Sequence, residues 1–274
     1  MLLSKGCKHM ETVLKDNFYE TISIHQKQEH IISVQPHSKG TLFVTIAPDA
    51  NAYAFQMNVQ ASANINVFIY NQAQNALDLN IKVNVYQDAT CHMGFLDMED
   101  APVDWHHFVD LVEPGAQYEI LSGQLCMANQ AKICDMEVRH DAPYTDGEIK
   151  NFAVLLEHGH YEMVANGNIL KGCKSAQSHQ ATRVLTLGKD HMTKCIPLLL
   201  IDENDVKASH ALTVGQPDED QMYYLQSRGL TKKQAIGLLS VGYFLPVLDL
   251  IEDKDLKQQL QQEMESKVGL YGNQ

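Results

Sequence analysis

The chain has 274 residues, 45% of them hydrophobic, enough to close a sizeable core as one large domain or as a β domain with a small appendage. A net charge of −13 repels phosphate backbones and anionic lipid, which argues against nucleic acid and membrane surfaces as general partners. There is no uninterrupted apolar run of about 18 residues, and the N-terminal MLLSKGCKHMETVL lacks the apolar core of a signal peptide, so the expected location is the cytoplasm.

Residues 1–20 read as an N-terminal segment ahead of the patterned chain. From about residue 21 to 216 the pattern is β. TISIHQ, TLFVTIAP, INVFIY and LDLNIKVNVY alternate apolar and polar residues over full strand lengths. AKICDMEVRH, IKNFAVLLEHG and TRVLTLG continue the series. The segments NQAQN, EPGAQ, APYTDG, VANGN and LGKD carry turn chemistry between them. So many short strands without an intervening helix point to a sandwich, a barrel or a β-solenoid. Two internal echoes favour the solenoid. GAQYEILSGQL resembles GHYEMVANGNI with the Tyr-Glu pairs 43 residues apart, and His140 and His179 sit 39 apart in similar surroundings. Both offsets suggest about two rungs of a coil.

The six cysteines, Cys7, Cys91, Cys126, Cys134, Cys173 and Cys195, form no C-x-x-C pair; the closest two are eight positions apart. That excludes a zinc ribbon or a ferredoxin-like run and predicts reduced, mostly buried thiols. The thirteen histidines are scattered, and neither HH at 106–107 nor HGH at 158–160 has metalloprotease spacing. Phosphate-loop and nucleophile-elbow spacings are absent from the sequence.

Past residue 216 the pattern turns helical, giving a C-terminal region over 217–274. Pro217 suits a first helical position, Asp218, Glu219 and Asp220 suit the electropositive first turn, and Gly229 suits the left-handed residue past a helix end. Thr231 and Gln234 have capping-box spacing, and Ala235, Leu238 and Leu239 are expected to line one face, buried either in the body or against a partner. Pro246 should end or kink that helix. A last amphipathic helix is expected over roughly 253–267 with Leu256 and Leu260 on one face, followed by a frayed VGLYGNQ tail. The acidic run reads as capping rather than as a metal or glycosidase carboxylate cluster. On these residues alone, a pectate-lyase-like enzyme and a non-catalytic scaffold both fit, and His210 reads as a structural strand-end histidine.

The stretch PLLLIDENDVKASHALTVGQPDEDQMYYLQSRGLTKKQAIGLLSVGYF, residues 197–244, resembles the C-terminal signature of the SufB/SufD family of iron–sulfur assembly scaffolds. Pro197, Leu199 and Ile201 match its strand. Asp205, Val206, Lys207, Ser209 and His210 match its D-D-V-K-x-S-H segment. Thr213, Val214 and Gly215 match its turn. Tyr224, Leu225, Ser227, Arg228 and Gly229 match its helix end, and Gly242, Tyr243 and Phe244 match its final helix. VRHDAPYTDGEIKN and SHQATRVLTLG also look like the family's core. KASHALTVG is nearer the SufD-like branch than the SufB-like one. Ala208 stands where many SufD-like chains carry cysteine, Ala211-Leu212 replaces the usual Gly-Ala, and Thr182 occupies the position of the SufB branch's cluster cysteine. The chain is short for the family, lacking most of the usual N-terminal helical region.

This resemblance implies a mainly β fold: a right-handed parallel β-helix core with a C-terminal α-helical region. It implies a non-catalytic scaffold subunit, with no enzyme activity, that pairs with a SufB-like chain and docks a SufC-type ABC ATPase. His210 would be the metal ligand for a transient iron–sulfur cluster shared with the partner, and Lys207, Ser209 and Thr213 would flank it at the interface. Tyr224, Leu225, Arg228, Gly229, Leu238, Leu239 and Phe244 would form the ATPase dock. The isolated chain is expected to homodimerise. The alternative is a stand-alone homodimeric β-helix protein with a ligand- or carbohydrate-binding groove.

Overall fold

The computed structural model describes residues 8–127 and 130–271. Cys7 and residues 272–274 of the expected frayed tail lie outside the described residues. Sixteen strands and then three helices follow one another along the chain among the described residues. Odd-numbered strands form one eight-stranded sheet and even-numbered strands the other. The first sheet contains β1 (Lys8–Leu14), β3 (Lys27–Val34), β5 (Ala52–Val59), β7 (Leu77–Val85), β9 (Val103–Leu111), β11 (Ala131–His140), β13 (His160–Ile169) and β15 (Met192–Ile201). The second contains β2 (Asn17–Ile24), β4 (Lys39–Ile46), β6 (Asn64–Asn71), β8 (Thr90–Asp97), β10 (Gln117–Cys126), β12 (Asp146–Leu155), β14 (Ala176–Thr186) and β16 (Val206–Gly215). Every pairing is parallel and joins strands two apart in the chain, which makes the body a parallel β-helix, as expected. Coiling is already under way at Lys8, ahead of residue 21 where the strand pattern becomes legible.

The helix is held by columns of like residues stacked coil on coil. Leu42, Val67, Met93, Ile120 and Ile149 succeed one another in register and are all buried. Burying each such side chain contributes roughly 1.5–3 kcal/mol, and the columns form one continuous core. Corners between strands take left-handed backbone at Asp16, Ser62, Asp88, Ser175 and Asp190, all short polar residues, and also at Gln26, His37, Tyr144 and His158. Gly115 takes the same conformation, and a Cβ there would meet Asp88 Oδ1 at 2.2 Å.

Several sequence expectations need correction. Glu119 pairs with Glu148, 29 residues on, so one coil takes about 29 residues here and an offset of 43 is one and a half coils. Tyr118 and Tyr161 therefore lie on opposite sheets, and the echo is not a two-rung repeat. VANGN is not a turn but the middle of β13. There Asn166 and Asn168 donate to the two carboxylate oxygens of Glu137 at 3.0 Å each, a cross-strand ladder that outweighs local turn propensity.

The helices are α1 (Glu219–Ser227), α2 (Lys232–Leu248) and α3 (Lys254–Tyr271). Asp218 caps α1 by accepting from the amides of Asp220 and Gln221, so Pro217 precedes the cap rather than opening the helix. Gly229 has φ +95°, and the amides of Gly229 and Leu230 return to Gln226 and Leu225 as a Schellman motif. Thr231 and Gln234 form the capping box that opens α2. Pro246 sits inside α2, which continues to Leu248. α3 runs on to Tyr271 and its Val268 is buried, so the helix extends beyond the expected end at 267. Val241, Phe244, Val247 and Leu248 of α2, with Leu260, Met264 and Val268 of α3, pack on the outer face of the second sheet to make a second core. Gly123 admits the Phe244 ring, since a Cβ there would come within 2.9 Å of it. Both faces of the second sheet are thus buried there, which explains the unbroken run of buried positions from Ile120 to Cys126 of β10.

Candidate functional site

β15 and β16 are the last strands of their sheets, and neither edge carries a further strand among the described residues. An inward residue on an internal strand is covered by the coils above and below; on these two strands, as on β1 and β2 at the opposite end, it is covered from one side. Burial accordingly fades from alternating buried positions on β14 to mostly exposed ones on β16. Leu198, Leu200, Ile201, Leu212 and Val214 leave large apolar surface in solvent. An uncovered apolar strand edge of ten residues is a template for pairing with another chain.

Strand alternation separates the residues expected around His210. His210 pairs in register with buried Gln180, which places it on the inward row with Val206, Ala208, Leu212 and Val214. Lys207, Ser209 and Thr213 fall on the outward row, beside Gln177, His179 and Arg183. Ser209 Oγ lies 2.7 Å from His179 Nδ1. A polar track leads through the interior toward the exposed end. Ser122 Oγ donates to Asn151 Oδ1 at 2.6 Å, and Asn151 Nδ2 reaches Thr182 Oγ1, the neighbour of Leu212 in the same column. No group of three His, Cys, Asp or Glu side chains among the described residues is placed to hold a metal ion. His210's neighbours on the inward row are Ala208 and Leu212.

The residues expected to dock an ATPase divide by depth. α1 has no buried residue, and Tyr223 and Tyr224 stand in solvent, Tyr224 with its ring 5.3 Å from the Arg228 guanidinium carbon. Of the Ala235–Leu238–Leu239 stripe, Ala235 is fully buried in the body, Leu239 partly buried and Leu238 53% exposed. Phe244 is fully buried against the body, where it holds α2 in place rather than meeting a partner. Leu238 lines a depression of about 360 Å³ with Leu230, Lys233, Gly237, Val241 and Glu265. A second cleft, of about 700 Å³, opens between α1, α2 and the β14–β15 corner, lined by Leu187, Lys189, Met222, Tyr223 and Ile236. Body and helices are joined beside the edge: Arg183, the register neighbour of Thr213, lies 5.9 Å from the Tyr243 ring centroid.

The five described cysteines are free, four of them buried. Burial pushes the Cys126 and Cys134 thiols well up, and Cys195 up to about 11. The sequence reading missed one group. Lys132 is fully buried and donates to Asp97 Oδ2 at 2.7 Å. Its signal was a lysine on the inward register of AKICDMEVRH, in line with Cys134, Met136 and Val138.

A family model described as the SUF system FeS cluster assembly, SufBD core domain, matches residues 18–243. The chain belongs to the SufBD family. This family of iron–sulfur cluster assembly proteins includes the SufD of Bacillus subtilis, 35% identical over 132 residues that make up 48% of this chain and 30% of that one. The SufD of Escherichia coli is 25% identical over 210 residues, 70% of this chain and 49% of that one. A SufBD family protein of Mycobacterium tuberculosis, Rv1461, is 27% identical over 157 residues, 56% of this chain and 19% of that one. The matched regions thus span about half or less of these curated relatives. The SufD matches support a SufD-like member of the family, in agreement with KASHALTVG. No described helix is long and apolar enough to cross a membrane.

Proposed function

We propose that this SufBD chain is a non-catalytic scaffold subunit of a cytoplasmic iron–sulfur assembly complex. Its β15–β16 end pairs with a SufB-like chain, its α1–α2 region docks a SufC-type ABC ATPase, and the cluster is cargo built at the pairing seam. The observation that carries the reading is the exposed end of the β-helix, where His210 shares its inward row with the exposed Leu212 and Val214. Covering that row needs another sheet edge, and a neutral imidazole at the seam is a suitable iron ligand. The isolated chain, lacking the SufB-like edge, pairs with a second copy.

Co-expression with SufB-like and SufC-type chains tests the reading. Leu212→Asp is expected to abolish recovery of the SufB-like chain and leave the ATPase bound, whereas Arg228→Glu with Leu238→Asp is expected to do the reverse. Recovery of both partners with all variants would defeat the assignment.

A further inference from the structure

One short segment, Met98 to Pro102 between β8 and β9, is gripped from two sides. From the interior, Lys132 Nζ donates to Asp97 Oδ2 at 2.7 Å, to the Glu99 carbonyl at 2.9 Å and to the Ala101 carbonyl at 2.6 Å. Those three bonds use all three donors of an ammonium that has no exposed surface. Asp97 also accepts from the Glu99 amide through Oδ1, at 3.1 Å. From outside, Lys267 near the end of α3 donates to the Met98 carbonyl at 3.1 Å and to Glu99 Oε1 at 2.7 Å. The Met98 side chain is buried in the second core, the one that contains Leu260, Met264 and Val268 of α3.

We propose that the Met98–Pro102 segment is a coupling latch, through which the position of α3 controls access to the interior around Cys126 and Cys134. Asp97 stands in register with Gln124, and Gln124 Oε1 accepts from Cys134 Sγ at 3.1 Å, so the latch and the thiols share one neighbourhood. Shifting α3 pulls on Met98 and Glu99 together. That withdraws a carbonyl from Lys132, and a buried ammonium short of a partner opens its surroundings to water instead of staying dry. A two-sided grip on five residues transmits movement because neither side can relax alone. The inference is independent of the ATPase reading, since it concerns any force on α3.

Native-state alkylation of the full chain with a bromobimane reagent, mapped by peptide mass spectrometry, tests it. Lys267→Met keeps the apolar stem of the side chain and removes both outer bonds. Labelling of Cys126 and Cys134 is expected to accelerate at least tenfold, while Cys91, buried at the opposite end of β8 from Asp97, keeps its rate. Lys267→Arg is expected to restore slow labelling. If all three cysteines accelerate together, the variant has merely loosened the fold and the latch is wrong; unchanged rates at Cys126 and Cys134 overturn it equally. Should Lys267→Met not fold, hydrogen exchange of the parent protein decides. Exchange at residues 97–103 rising with salt, while β10 and β11 stay protected, supports the latch, and no salt dependence at those residues overturns it.

Discussion

Gln180 and His210 are register neighbours on one inward column, yet Gln180 is buried and His210 is exposed. The difference is one strand: β16 covers Gln180, and no described strand covers His210. His210→Ala is therefore expected to change folding stability by no more than about 0.5 kcal/mol, as for other exposed positions. The same substitution is expected to lower the cluster yield of the reconstituted complex. Unchanged iron and sulfide content would reduce His210 to a surface residue.

Lys132 and Asp97 make the opposite case, since both are out of solvent. Lys132→Met leaves a buried carboxylate unpaired, at a cost of roughly 3–5 kcal/mol. Adding Asp97→Asn to it is expected to recover part of that loss. Urea unfolding of the single and double variants gives the coupling, and strictly additive losses would show that the pair does not act as one.

Acid should destabilise the protein in a defined window. Burial lowers His107 from its ordinary value of 6.5 to about 3 and His140 to about 4. Both are neutral when folded, so the unfolded chain binds more protons below pH 6.5. Their stability contribution is complete above that pH and falls as pH drops toward 4 and then 3. Glu119, beside His92 and Lys150, is lowered to about 2 and adds loss below its ordinary 4.5. Urea midpoints should hold from pH 7.5 to about 6.5 and fall from there to pH 4, and His107→Phe should flatten that slope. An unaltered slope would mean that His107 does not titrate on unfolding.

The two faces of α2 predict two phenotypes. Phe244→Asp buries a charge in the second core and is expected to unseat α2 and α3, with loss of helical circular dichroism and a lower melting temperature. Leu238→Asp lies in solvent and is expected to leave the melting temperature within a degree or two while weakening partner capture. Equal melting temperatures for both variants would contradict the assigned faces.

The features legible in residue order alone were local and periodic. Alternation set the strands of AKICDMEVRH and LDLNIKVNVY, and Asp218, Gly229 and the Thr231–Gln234 box marked helix ends, because each of these signals acts within a few residues. The signature around His210 was legible as a motif for the same reason. Tertiary structure alone decided which faces were covered. It turned VANGN from a turn into strand through Glu137, 29 and 31 residues away. It turned Leu238 outward and Phe244 inward, because the bare outer face of the second sheet, with Gly123 as its hollow, lies more than a hundred residues up the chain. It also closed Lys132 onto Asp97. Coil stacking brings distant residues to the same height, and a pattern read over a few positions carries no record of which coil lies next to which.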